Sequence, residues 1–187
     1  MLQDATFLSE RLYARTGGQV GLYYLAKCYY AQGETLRAYK LLSKHTDYMS
    51  NNKNRYLFAL CAVQVGCDEA AENVLLGPVL CATRTAPTYS QADFNSIPEK
   101  AAGISLLGAI FARQGRCEEA KIFYRQSLEF DPYLWSSYKA LCDLGDVSTD
   151  SMKYFVAAPT SMISGADGKA IIDQIPSLLR ETFRIAG

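Results

Sequence analysis

His45 is the only histidine in the chain, and Cys28, Cys61, Cys67, Cys81, Cys117 and Cys142 are its six cysteines. These are the residues whose types could carry acid–base, nucleophilic or metal chemistry. Imidazole titrates near neutrality, and a thiol beside it would be an activated nucleophile. Their spacing points elsewhere. No two cysteines form a C-x-x-C pair, and one histidine cannot complete the Cys/His cluster that a structural or catalytic metal requires. His45, in "KLLSKHTDY", falls on the inner side of a second helix, the place of a packed or partly exposed structural histidine. No G-x-S-x-G, H-E-x-x-H or P-loop is present. Gly17 and Gly18 close a helix and do not follow a strand, so they make no phosphate cradle. We therefore expect no catalytic residues, no cofactor and no metal. The rival reading, a cysteine enzyme working with His45, would need an activity lost on His45→Ala with folding intact.

Bulk properties narrow the class further. Lys plus Arg and Asp plus Glu number 19 each, so the formal net charge is zero. A nucleic-acid binder normally shows a basic face, and nothing here pulls the chain toward an anionic membrane. All the cysteines but Cys81 sit in apolar or helical stretches, where a reduced cysteine acts as a small hydrophobe. That suits a reducing compartment without disulfides. Asp4 and Glu10 interrupt the opening "MLQDATFLSERLY" where a signal peptide needs an apolar run. The densest apolar stretch, Tyr56 to Val65, covers about half of the ~20 residues of a membrane helix. The expectation is no membrane and no nucleic acid.

The elements that must carry any site are repeated. "GLYYLAKCYYAQGETLRAYKLL", "RYLFALCAVQVGCDEAAENVLL" and "ISLLGAIFARQGRCEEAKIFYR" align on Gly33, Gly66 and Gly115. Five residues later stand Ala38, Ala71 and Ala120, and four beyond those Leu42, Leu75 and Tyr124. Glycine closes a helix by reaching the left-handed conformation at little cost. The acids that follow it (Glu34; Asp68 and Glu69; Glu118 and Glu119) suit the positive end of the next helix. Ahead of each glycine a small residue, Ala26, Ala59 or Gly108, lets the second helix come close. This is the tetratricopeptide pattern of about 34 residues, an all-α solenoid of helix-turn-helix repeats with an inserted loop; a generic helical bundle is the bland alternative.

The pattern divides the chain. A partial first unit spans 1–18, its helix in the phase of a second helix whose first partner is missing. Units follow at about 19–51, 52–78 and 101–134. Pro132 ends the third, and Trp135 begins a capping helix over 135–145 that packs on the stack. The roughly 15 extra residues between Gly66 and Gly115 predict a surface loop at about 79–100. Residues 147–187 form a C-terminal extension with weak helical stretches around Met152 to Val156 and Ser177 to Ile185.

One stripe has no partner within its own repeat. Tyr23, Lys27 and Tyr30 continue into Tyr56, Leu60 and Val63, then into Ser105, Ala109 and Ala112, and should line the concave side of the stack. An apolar patch of this kind marks an interaction surface. Another chain, most simply a second copy, is the expected occupant, with the helix from Asp4 to Arg15 and Ala109 behind the main contacts. The chain's own Ser177 to Ile185 is the alternative. A co-chaperone-type domain gripping acidic peptide tails would need Lys and Asn along the groove. Lys27 is present there, but Leu60 and Ala109 occupy the other places.

"DATFLSERLYA", "CYYAQG" with "AYKLL", "SLLGAIF" and "YRQSLEFDPYLWSSYKALCDLGD" together resemble the N-terminal domain of the tetratricopeptide scaffold subunit of the anaphase-promoting complex, or cyclosome. The likeness runs over about residues 4–146, and its "DPYLWSSYKALCDLG" block is its most specific part. The resemblance implies a non-catalytic arm of a multi-subunit ubiquitin ligase that marks cell-cycle regulators for destruction, acting in nucleus and cytoplasm. It implies homodimerisation through the N-terminal repeats and contact with other subunits of the ligase. The family's C-terminal repeats, which capture Ile-Arg tails of activators, have no counterpart here, so the chain is expected to be a fragment or a reduced version.

Overall fold

In a computed structural model, which describes residues 2–45, 51–82 and 89–146, helices alternate with tight turns. They are α1 (Leu2–Thr16), α2 (Gln19–Ala31), α3 (Thr35–Ser43), α4 (Asn52–Val65), α5 (Asp68–Ala82), α6 (Gln91–Ser96), α7 (Ala101–Arg113), α8 (Cys117–Phe130) and α9 (Trp135–Asp143). The pairs α2/α3, α4/α5 and α7/α8 are hairpins that stack in sequence, with α1 packed on α2 and α9 on α8. The described residues form an all-α tetratricopeptide solenoid.

The same bond closes each hairpin turn. Gly33, Gly66 and Gly115 have φ of 81°, 85° and 78°. The residue after each glycine then donates its N–H five residues back: Glu34 to Tyr29 O (2.9 Å), Cys67 to Ala62 O (2.8 Å) and Arg116 to Phe111 O (2.9 Å). These are Schellman closures, which satisfy carbonyls that the helix end leaves orphaned. Gly145 repeats the device at φ 73°, with Asp146 donating to Leu141 O at 3.0 Å, and so ends α9 early.

Small residues set the spacing between paired helices. Ala26, Ala38, Ala59, Ala71 and Ala120 are wholly buried. A Cβ at Gly108 would stand 3.0 Å from the Tyr124 ring. Gly108→Leu is therefore expected to overpack α7 against α8 and to cost ~1–3 kcal/mol. An unchanged thermal midpoint would show that the two helices do not meet at this register.

The core continues through the stack as Leu22, Leu25, Leu57, Phe58, Ile104, Leu107 and Phe111, against Leu42, Leu75, Phe123 and Leu128. A buried charge ties the second and third pairs together. Glu72, only 2% exposed, accepts from Arg116 Nη1 at 3.0 Å and from Gln114 Nε2 at 3.1 Å. Arg116 also bonds Glu119, and its guanidinium lies 4.1 Å from the Phe111 ring centroid. Arg113 reaches Asp68 at 2.6 Å across the same joint.

The insertion departs from the expected surface loop. α5 continues to Ala82 across a break at Gly77 (φ 76°, ψ 172°). Val74 O loses its helical donor there, because residue 78 is proline and has no N–H. Arg55 replaces that donor: Nη2 reaches Val74 O at 2.9 Å and Leu75 O at 3.2 Å. Farther on, Ser90 and Asp93 cap each other at the start of α6, and Phe94 and Ile97 are buried at 4% and 3% exposure. Tyr89 and Phe94 meet Phe123 edge to face, with centroids 4.9 and 5.3 Å away. The described end of the insertion, from Tyr89 to Ile97, packs as a wedge on the core, because its aromatics find an apolar slot beside α8.

The turn leaving α6 is strained. Glu99 and Lys100 have φ of 56° and 41°, a region that costs a side-chain-bearing residue on the order of 1–3 kcal/mol. Burial of Ile97 and Pro98 holds it in place. Pro98 O approaches α7 so closely that a Cβ at Gly103 would lie 2.0 Å from it.

Trp135 also departs from expectation. It is 56% exposed, whereas Tyr138 and Leu141 are 4% and 1% exposed. The packing expected of Trp135 falls to these two, one and two turns farther along α9. Trp135 lies over Tyr138 instead, with centroids 5.4 Å apart. Pro132, half-buried, stands at the turn between α8 and α9. The weak helical stretches expected within 147–187 lie outside the described residues.

Candidate protein-interaction groove

α2 and α4 lie side by side, so their i, i+4, i+7 positions form two parallel rails. Tyr23, Lys27 and Tyr30 come from the first, Tyr56 and Leu60 from the second. The structure brings all five to one groove of about 410 Å³. Val63 and Ala109 are half-buried against the core just beyond it. A second hollow of about 480 Å³ opens from the same place, sharing Tyr23 and adding Val20 and Tyr24.

The third pair contributes less than its sequence suggests. Ser105 meets α9: Ser137 Oγ donates to Ser105 Oγ at 2.8 Å and lies 2.7 Å from Ser127 Oγ. The capping helix therefore covers the third rail at its start, and the open groove belongs to the first two pairs.

The groove's polar groups are tied to its walls. Tyr30 Oη accepts from Gln64 Nε2 at 2.8 Å, tying α2 to α4. The Lys27 ammonium sits 5.6 Å from the Tyr23 ring centroid. Burial raises the Tyr56 phenol above its ordinary pKa, with the nearby Glu99 carboxylate and then Tyr30 adding to the effect. Burial does the same for Tyr30. Both phenols stay protonated at neutral pH and offer hydrogen bonds beside apolar ring faces, the amphipathic character that makes tyrosine a strong interface anchor.

Three lining residues escape sequence reasoning: Leu57, which belongs to the core beneath the groove, Lys53 and Glu99. Lys53 is the second residue of α4, two past its cap, where Asn51 Oδ1 accepts from the Lys53 N–H at 2.9 Å. Glu99 arrives from the insertion. The readable signal for its element was the Ser90-x-x-Asp93 capping box.

His45 stands just past α3, where its Nε2 lies 2.6 Å from Tyr13 Oη, with the rings edge to face. It fastens α1 to the first full hairpin. Burial pushes the Cys61 thiol up to about 12, which leaves it no nucleophile. Among the described residues no three His, Cys, Asp or Glu side chains gather as metal ligands, and no helix is long and apolar enough to cross a membrane.

Two further surfaces are exposed. On α1, Phe7, Leu8 and Leu12 are 55%, 65% and 41% exposed. Along α3, Leu36, Lys40, Leu41 and Lys44 border a groove of about 620 Å³. It is roomier than the tyrosine groove, yet its Arg37 is already engaged by Glu34 at 3.0 Å and by the Tyr29 ring at 4.0 Å.

Comparison with known proteins fits this architecture. Residues 1–77 match the family model described as anaphase-promoting complex, cyclosome, subunit 3. The human cell division cycle protein 27 homolog is 32% identical over 144 residues, covering 77% of this chain and 17% of that protein. Homolog A of Arabidopsis thaliana is 32% identical over 183 residues, covering 94% of this chain and 23% of the relative. The Saccharomyces cerevisiae anaphase-promoting complex subunit CDC27 is 27% identical over 156 residues, 75% of this chain and 20% of that one. The chain thus spans about a fifth of the length of these relatives. Among solved structures, a chain of the APC/C hetero-tetramer Cut9-Hcn1 superposes with a TM-score of 0.69 at 23% identity, covering 91% of this chain and 31% of its own, a likeness of fold. The chain belongs to the anaphase-promoting complex subunit 3 family, and its helical array corresponds to the N-terminal tetratricopeptide domain of that subunit.

Proposed function

We propose that the chain is a non-catalytic scaffold and homodimerisation module of the anaphase-promoting complex, a cell-cycle ubiquitin ligase, and acts with other subunits of that assembly in nucleus and cytoplasm. The observation that carries the dimer is the groove itself. Three tyrosines, Leu60 and the stem of Lys27 line an open trough that no other described element fills. Open apolar surface of this kind is a binding site, and α1 supplies a matching exposed ridge on the same chain. A surface and its complement on one molecule are what a two-fold symmetric pair requires.

The test is the mass of the full chain in solution, by light scattering or sedimentation across micromolar concentrations. Twice the chain mass supports the reading; a single-chain mass up to the highest concentration removes it.

A second reading, a carboxylate-gripping adaptor, draws on Lys27 and Lys53 in the same groove. Glu99 opposes it, because a carboxylate lining the trough repels an acidic tail. Tight, salt-sensitive binding of an acidic C-terminal peptide, competing with self-association, would favour this second reading over the dimer.

A further inference from the structure

We propose that Glu99 is the charge that sets the register of the groove, accepting a salt bridge from Arg11 or Arg15 on α1 of a second copy of the chain. The inference rests on the homodimer reading and adds the residues that orient the two copies.

Glu99 is placed at strain. Its φ of 56° is a conformation side-chain-bearing residues rarely adopt, and Lys100 shares it at 41°. The surrounding structure enforces both: Phe94 and Ile97 are buried, and Pro98 O is seated against α7 where only glycine fits. Strain of this kind persists where the position of a side chain is worth its cost. The result is that Glu99 borders both hollows of the groove, which also share Tyr23 and Lys53. Among the described residues it forms neither a salt bridge nor a hydrogen bond through its carboxylate.

α1 carries the complement. Its inner side is committed: Glu10 accepts from Tyr29 Oη at 2.8 Å, Thr6 Oγ1 from Gln32 Nε2 at 2.8 Å, and Tyr13 meets His45. Its outer side shows Phe7, Leu8 and Leu12, with Arg11 and Arg15 between them at helical spacing. The Arg11 guanidinium lies 5.0 Å from the Phe7 ring centroid. Neither arginine has a carboxylate partner among the described residues. An apolar ridge with two unpaired cations thus faces outward on the same chain as an apolar trough with an unpaired carboxylate. The bonds on its inner side prevent α1 from turning into its own groove, so a second copy supplies the ridge. One two-fold contact then covers two ridges and two troughs. Lys27 and Lys53 repel an incoming cation along most of the groove, which leaves Glu99 to choose where it lands.

Charge reversal tests this on the full chain, read by sedimentation against concentration with circular dichroism as the folding check. Glu99→Lys should weaken self-association ~10-fold or more, the scale of close interfacial charge pairs. Arg11→Glu with Arg15→Glu should do the same. All three changes in one chain should restore association to within ~3-fold of the parent, since the pair is re-formed with its signs exchanged. Glu99→Gly separates charge from strain: it should fold at least as stably as the parent and still associate more weakly. If the parent dimerises and Glu99→Lys leaves it unchanged, or the triple variant fails to recover, the pairing is wrong while the homodimer stands. A parent that stays monomeric removes both.

Discussion

Arg116→Ala is expected to lower the stability of the array by ~3 kcal/mol, the cost of removing one partner of a buried ion pair. At the size of this helical array that is a fall of about 6–12 °C in thermal midpoint. Only 2% of Glu72 is exposed, and its Oε1 receives the Arg116 Nη1 at 3.0 Å. Gln114 remains on Oε2 at 3.1 Å, but a neutral amide cannot balance a buried carboxylate. The same substitution removes the guanidinium stacked on Phe111 and the bond to Glu119. Glu72→Leu combined with Arg116→Leu should be less destabilised than Arg116→Ala alone, because apolar residues of similar volume often replace a buried ion pair without loss. Paired melts followed by circular dichroism decide the matter. If Arg116→Ala melts within ~1 kcal/mol of the parent, Glu72 is solvated in solution and the second and third hairpins are joined by apolar contact alone.

This joint shows where the sequence speaks and where it is silent. The three hairpins were legible because each turn repeats one backbone device. A glycine at positive φ and an alanine five residues on are needed wherever two such helices pack, so they recur at fixed spacing. Gly145 carries the same device, since the bond from Asp146 to Leu141 O ends α9 with the same closure. The tyrosine rails of α2 and α4 followed from helical periodicity, and five of the expected residues share one groove.

What escaped has a common cause, in that it depends on contacts distant in sequence. Trp135 is the largest apolar side chain of its segment, yet it occupies the first position of α9 and points outward, while Tyr138 and Leu141 take the buried face. Ser105 reads as part of an open stripe until Ser137 arrives from α9 to bond it. Glu99 lies in an insertion without periodicity, and its left-handed backbone is imposed by Ile97, Pro98 and Gly103. No local preference of glutamate announces that conformation. Proline at 78 and arginine at 55 read separately as a breaker and a surface charge, but together they are a broken helix and its donor.

Leu60→Glu is expected to abolish self-association at concentrations where the parent is paired, raising the dimer dissociation constant by a hundredfold or more. Leu60 is half-buried on α4, in the groove with Tyr23, Tyr30 and Tyr56. Two effects act in the same direction. The leucine is lost as an apolar contact at the centre of the trough, where truncations of anchor residues cost ~2–4 kcal/mol. A carboxylate replaces it, and closing the groove over this unpaired charge adds a desolvation cost. Each ~1.4 kcal/mol is tenfold in affinity, so even the lower figure for the anchor alone is a factor of about thirty. The free chain is affected far less, because a half-exposed position leaves the new charge in contact with water and α4 tolerates glutamate as a good helix former. Helical content should therefore match the parent. Leu60→Met, which preserves volume and apolarity, should remain dimeric. A Leu60→Glu chain that keeps the parent's mass at every concentration would show that the two copies meet somewhere other than this groove.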